Sequence, residues 1–287
     1  MSSEIRCWLG AGALIVGSLA LCAPAAAQRR ADEPPPVTVL LEGAVFTATG
    51  AGGVGQRVSG IGAAELRVRV AGVELGARVP WALTRFAGGN VTTGTVGAPS
   101  LSVAWSRELG ELRLSVGGGM IVPMPSRDGA PTARIVLATA RAMSGQRDFW
   151  AYVQDHGGAY ARAAFHSLGA VHIGAELSVS ALVLSFADTY GGASAQLDMV
   201  GGYRFGPLEV AMRASIVALA DFAPCRTLLD YCEWGDVLQP SFTPFVRFES
   251  RHFDTMLWLL MNLDGENGSW FDVGATWALG TQLVARF

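Results

Sequence analysis

The chain contains no lysine: all 21 of its basic residues are arginines, and none of them builds a basic run. Against 24 acidic residues the formal net charge is −3, which leaves no electrostatic footprint for a nucleic-acid partner. Charge of either sign is sparse, at 16% of residues, and there are only four histidines. Beyond residue 27 the sequence also lacks any run of ~18 apolar residues, so it offers no membrane-spanning helix. Yet mean hydropathy is +0.34 and 51% of residues are hydrophobic. Hydrophobicity on that scale without long runs has to be distributed over many short segments.

Cysteine is scarce too. Of four, Cys7 and Cys22 fall in an amino-terminal stretch where the apolar run from Trp8 to Ala23 leads into Ala25, Ala26 and Ala27. This stretch reads as a secretory signal peptide, residues 1–27, cleaved after Ala27. Leu19 to Cys22 is also faintly like a lipoprotein box, with an unsuitable Leu before the Cys. Only Cys225 and Cys232 then remain, and a single pair in an exported chain reads as one disulfide. Between them only Asp230 could add a metal ligand, so no metal site is expected, and no cofactor.

What is present is alternation. From Trp270 to Phe287, the residues Phe271, Val273, Ala275, Trp277, Leu279, Leu283, Ala285 and Phe287 share one parity, while Asp272, Thr276, Gln282 and Arg286 share the other. A period of two is a β-strand with one apolar and one polar face. After a polar, proline-containing lead-in at 28–36, similar segments run through 37–287. Strands are expected at Val37 to Thr47, Glu65 to Val70, Val73 to Val79, Leu101 to Trp105, Glu111 to Val122, Ala159 to His166 and Ala170 to Val179. Five more follow at Ala193 to Phe205, Leu208 to Ala218, Gln239 to Glu249, Asp254 to Leu263 and Ser269 to Phe287. The connections alternate between tight turns, such as Ala71-Gly72 and Gly206-Pro207, and long segments such as Phe86 to Ala98. This describes an all-β, antiparallel up-and-down barrel of about twelve strands that places both termini on one side.

Two segments depart from that rhythm. Gly50-Ala51-Gly52-Gly53-Val54-Gly55 matches a dinucleotide fingerprint, but Glu65 to Val70 downstream alternates like a strand, so a surface loop is expected. Ala133, Val136, Leu137, Ala140 and Met143 have helical spacing, with Asp128 and Pro131 before them and Gly145 after. A short helix near 131–149 is therefore expected in the long connection Pro123 to Gly158, narrowing the barrel mouth or covering its rim.

The polar parity carries the candidate site residues: Glu65, Arg67, Arg69, Glu74, Arg78, Arg113, Asp198, Arg204, Glu209, Arg213 and Arg247, with Glu111, Glu176, Glu249 and Arg286. Charge facing lipid is costly, so this face is the lumen. It serves either as a solute-selecting lining or as a plug of Arg–carboxylate pairs. Trp81, Trp105, Tyr203, Phe205, Phe248, Trp258, Trp277 and Phe287 are expected to form interfacial girdles. Phe149, Trp150, Tyr152 and Tyr160 are expected to pack around the loop helix. His166-Ser167 is the one adjacent His–Ser pair, but consecutive strand residues face opposite ways, so shared proton transfer is not expected. Asp264 to Gly268 is read as a solvated turn.

A chain ending on aromatic Phe287 with alternating apolar residues behind it resembles the assembly signal of bacterial outer-membrane β-barrels. That resemblance implies location in the outer membrane, contact with its lipid, and recognition by the barrel assembly machinery. Leu112 to Pro125 (LRLSVGGGMIVPMP) resembles the strand-to-loop segment of fatty-acid-type and aromatic-compound outer-membrane transporters, which implies a hydrophobic cargo. The expected function is a passive channel or transporter for a small polar or hydrophobic solute. The alternatives are a structural or interaction barrel with a plugged lumen, and a lipid-acting enzyme.

Overall fold

The computed structural model describes residues 36–48, 57–85, 92–123, 157–183, 191–221, 237–262 and 277–287. They form β1 (Val37–Ala48), β2 (Arg57–Val70), β3 (Val73–Arg85), β4 (Thr92–Val96), β5 (Ser100–Leu109), β6 (Leu112–Ile121) and β7 (Gly157–Ser167). These are followed by β8 (Val171–Val183), β9 (Gly191–Phe205), β10 (Leu208–Asp221), β11 (Val237–Glu249), β12 (Phe253–Asn262) and β13 (Trp277–Arg286). Every pairing is antiparallel, and each strand pairs with its sequence neighbours except that β4 and β5 both pair with β3 rather than with each other. The ring closes where β13 pairs with β1, from Thr38↔Arg286 to Thr47↔Trp277. Phe287 N also donates to Val37 O at 2.9 Å across this seam.

Among the described residues there are thirteen strands but twelve staves. β4 and β5 both lie against β3, with Trp81↔Val96 above and Arg78↔Ser100 below. The stave breaks at Pro99, which has no N–H to give to a ladder. Gly97 N nevertheless reaches Pro80 O at 2.9 Å. Thr92–Val96 thus turns part of the expected long loop Phe86 to Ala98 into barrel wall. The dinucleotide-like glycines precede a strand, Arg57–Val70, and no helix follows them. The helix expected near 131–149, the Cys225–Cys232 pair, Phe149, Trp150, Tyr152, Asp272 and the signal and lead-in segments through residue 35 lie outside the described residues.

The short connections gather at one end. Ala71 and Gly72 hold φ of 51° and 82°, the two left-handed positions that a two-residue hairpin matched to strand twist requires. Ser167 and Ser250 close two others from their side chains: Ser167 Oγ donates to Val171 O at 2.6 Å, and Ser250 Oγ to Phe253 O at 2.6 Å.

Alternation then sorts the side chains. Leu41, Leu75, Val103, Val116, Ile173, Met212, Val246, Leu257 and Leu279 all point outward and are exposed. An apolar band around the whole circumference far exceeds what a water-facing surface tolerates, and uninterrupted staves of 10 to 15 residues suit the hydrocarbon thickness. Trp105, Phe165, Tyr203, Phe205, Phe248, Phe253 and Phe287 stand exposed toward the short-turn end, with Tyr203 and Phe205 rings 4.7 Å apart. This is one girdle of the expected kind.

Trp258 does not join it. It faces inward and is buried, 3% exposed, because a Cβ at Gly280 on the neighbouring stave would occupy the space its indole fills. Trp81 instead faces outward and half-buried, paired in register with Gly62. Tyr160, expected beside the loop helix, lies on β7 with its ring against Gly119. That contact supplies a packing role for Gly119 in the segment resembling transporter barrels.

Candidate functional site

Inside the barrel is a cavity of about 1080 Å³ at the short-turn end. Strand parity puts the charge there: every other residue of each stave points in, so Arg67-x-Arg69 on β2 and Glu74-x-x-x-Arg78 on β3 line it together, with Glu65 pointing in but buried behind them. Arg67 Nε donates to Glu65 Oε1 at 2.6 Å, Arg69 to Glu74 at 3.4 Å, and Arg78 to Glu42 of β1 at 3.1 Å. Arg67 also lies 3.7 Å from Glu74, and Arg78 lies 3.9 Å from Glu65. Five of the expected lumen residues therefore form one interlocked network with Glu42.

A second network crosses β8 to β13. Glu209, 2% exposed, takes His172 Nδ1 on one oxygen and lies 3.6 Å from Arg204 and 3.9 Å from Arg247 on the other side. Asp254, equally buried, accepts Arg286 Nη1 on Oδ1 at 2.9 Å and Arg247 Nη2 on Oδ2 at 2.7 Å, with Arg286 Nη2 also on Oδ2. Glu249 at the rim is 3.6 Å from Arg247 and 3.8 Å from Arg286. The same arginines tie down the turns, since Arg204 donates to Ser167 O at 3.2 Å and Arg286 to Ser250 O at 3.1 Å.

The remaining expected residues are dispersed. Arg113 pairs with Glu108 at 2.5 Å where both are exposed, and Glu111 stands exposed at the adjoining turn. Asp198 is buried farther from the short-turn end, opposite Glu176 in register, and accepts the Gln196 amide at 3.0 and 3.1 Å. Arg213 lines the cavity, but no carboxylate among the described residues comes within ion-pair distance of it. Sequence reasoning missed Asp254, Glu108 and the His172–Glu209 contact. Counting parity from Glu249 through the tight turn would have found Asp254; the stagger that brings β8 to β10 does not show in the letters.

Nine arginines line the cavity, at 67, 69, 78, 113, 204, 213, 247, 251 and 286, against six carboxylates, at 42, 74, 108, 209, 249 and 254. The lining therefore carries an excess of positive charge. Its inner end changes character: Val200, Phe245, Met256, Trp258 and Leu260 are apolar. Beyond them the inward residues Ala44, Ile61, Ala82, Ile121, Val217 and Ala278 are buried and neutral. His166 faces the cavity with its ring 5.7 Å from that of His172. Ser167 accepts from Ile173 N at 2.8 Å while donating to Val171 O, so its hydroxyl proton is committed to the turn.

No family model matches the chain, and no curated relative matches it in sequence. Solved structures do match in shape. An outer-membrane channel from Pseudomonas putida F1 superposes with a TM-score of 0.60 over 90% of this chain and 99% of that one, at 12% identity. The NanC porin follows at 0.49, 8% identity, over 87% of this chain and all of its own, and the toluene transporter TodX of P. putida at 0.40, 10% identity, over 89% and 91%. At these identities what is shared is the fold, and that fold is the closed antiparallel β-barrel of bacterial outer-membrane proteins.

Proposed function

We propose that the chain is a passive outer-membrane channel for small solutes, with its short-turn end and both termini in the periplasm. The observation that carries this reading is the cavity of about 1080 Å³ inside a lipid-facing barrel, with its charged lining. A wall apolar outside and arginine-rich inside holds a wet vestibule within the hydrocarbon, and charge lining it would select what enters. The expected hydrophobic cargo finds support in the apolar inner end; the cavity's rim supports a polar solute.

A plugged structural barrel is the second reading, and the belt of buried inward residues beyond Leu260 favours it. The two separate in planar lipid bilayers. The channel reading expects stepwise conductance from purified, refolded protein, together with swelling of proteoliposomes in small sugars or organic acids. Silent bilayers and no swelling, from protein shown to be folded, would leave the structural reading in place.

A further inference from the structure

We infer that the inner end of the lumen is a binding site for small carboxylates that carry an apolar body, such as arenecarboxylates. The inference deepens the channel reading by naming the class of solute, and it rests on that reading only for the direction of transport.

Of the arginines lining the cavity, Arg67, Arg69, Arg78, Arg113, Arg204, Arg247 and Arg286 each lie within 4.0 Å of a carboxylate, and Arg251 has a partner of its own. Arg213 has no such pair among the described residues. Its register partners are Val200 on β9 and Thr243 on β11, neither of which can neutralise it. A guanidinium inside a protein wall is stabilised strongly by an anion, and best by a carboxylate that can accept two parallel bonds.

The surroundings of Arg213 define the rest of the ligand. Phe245 and Trp258, 7% and 3% exposed, face each other in register on β11 and β12, and Leu260, Met256 and Val200 complete an apolar wall to the same cavity. Consecutive staves are about 4.8 Å apart. Phe245 lies one stave over and two residues from Thr243, opposite Ala211, so it is the diagonal neighbour of Arg213, about 7–8 Å away between Cα atoms and within the reach of a single ring or a short alkyl chain. A long acyl tail would have to extend back toward the arginine-rich rim. Inorganic anions could meet Arg213 but would make no use of the apolar lining beside it, and hydrocarbons could contact that lining but would leave Arg213 without a counter-charge.

The acidic groups nearby bound the site. Asp198 lies opposite Ser215, two residues farther along β10 than Arg213, and Glu176 lies opposite Asp198. An anion drawn in from the short-turn end over the positive lining meets Arg213 before it meets those two carboxylates, so it is held there.

The test is isothermal titration of the full folded barrel in detergent with benzoate, benzyl alcohol as the neutral analogue, and acetate as the anion without an apolar body. Benzoate should bind at least about tenfold tighter than either analogue, and Arg213→Gln should weaken it by about tenfold or more, the loss expected for one charged hydrogen-bonding pair. Arg213→Lys should keep part of the affinity. Folding of each variant is checked by its heat-dependent gel shift. Equal affinity for benzoate and benzyl alcohol, or unaltered benzoate binding by folded Arg213→Gln, would overturn the proposal; if Arg213→Gln does not fold, Arg213→Lys and the analogue comparison decide. Bilayer conductance without benzoate binding would refute this site and leave the channel standing. Benzoate binding without conductance would do the reverse.

Discussion

Replacing Asp254 with alanine tests whether the lumen charges hold the barrel together. Asp254 sits between β11 and β13, is 2% exposed, and receives Arg247 at 2.7 Å and Arg286 at 2.9 Å. A hydrogen bond to a charged group contributes roughly 1.5–3 kcal/mol, and breaking a buried pair by removing one partner costs about 3–5 kcal/mol. Two features reduce that cost here. The guanidinium side chains are 29% and 21% exposed to cavity water, and Glu249 stays within 3.6 and 3.8 Å of them. We therefore expect Asp254→Ala to lose about 2–4 kcal/mol, and Asp254→Asn, which keeps the shape but not the charge, about half as much. Urea unfolding in phospholipid vesicles, followed by tryptophan fluorescence, measures the loss. A double-mutant cycle with Arg286→Gln should return a coupling of about 1 kcal/mol or more. A change within ~0.5 kcal/mol of the parent protein would refute the reasoning, since that is the range of an uninvolved surface substitution.

Two further substitutions probe the faces of the wall. Gly280→Ala places a Cβ inside the Trp258 ring, so it should destabilise by about 1–3 kcal/mol in the same assay, and adding Trp258→Leu should recover most of the loss. Leu257→Arg puts a charge on the outward face in the middle of β12, where Leu257 is 55% exposed, and should cost about 2–4 kcal/mol in vesicles, whereas Gln282→Arg on the lumen face should cost much less.

The barrel was legible in the letters because side-chain direction in a strand is a local property. Leu41 and Glu42, or Leu283 and Gln282, are assigned to opposite faces by parity alone, and the cost of charge in lipid says which face is inside. Tight turns at Ala71-Gly72 and Gly206-Pro207 were legible for the same local reason. Trp258 shows the limit. An aromatic residue near a strand end suggests a girdle, and only the register that sets Gly280 beside it turns it into lumen packing.

The sequence by itself determined an alternating antiparallel wall of about twelve staves and which parity of it carries the charge. The tertiary structure decided which of those charges meet. Asp254 reaches Arg286 across 32 positions and His172 reaches Glu209 across 37, while Arg213 is left without a carboxylate among the described residues. The reason is physical: alternation fixes the direction of a side chain but not its height, and height depends on how each stave slides against its neighbour when the sheet closes on itself.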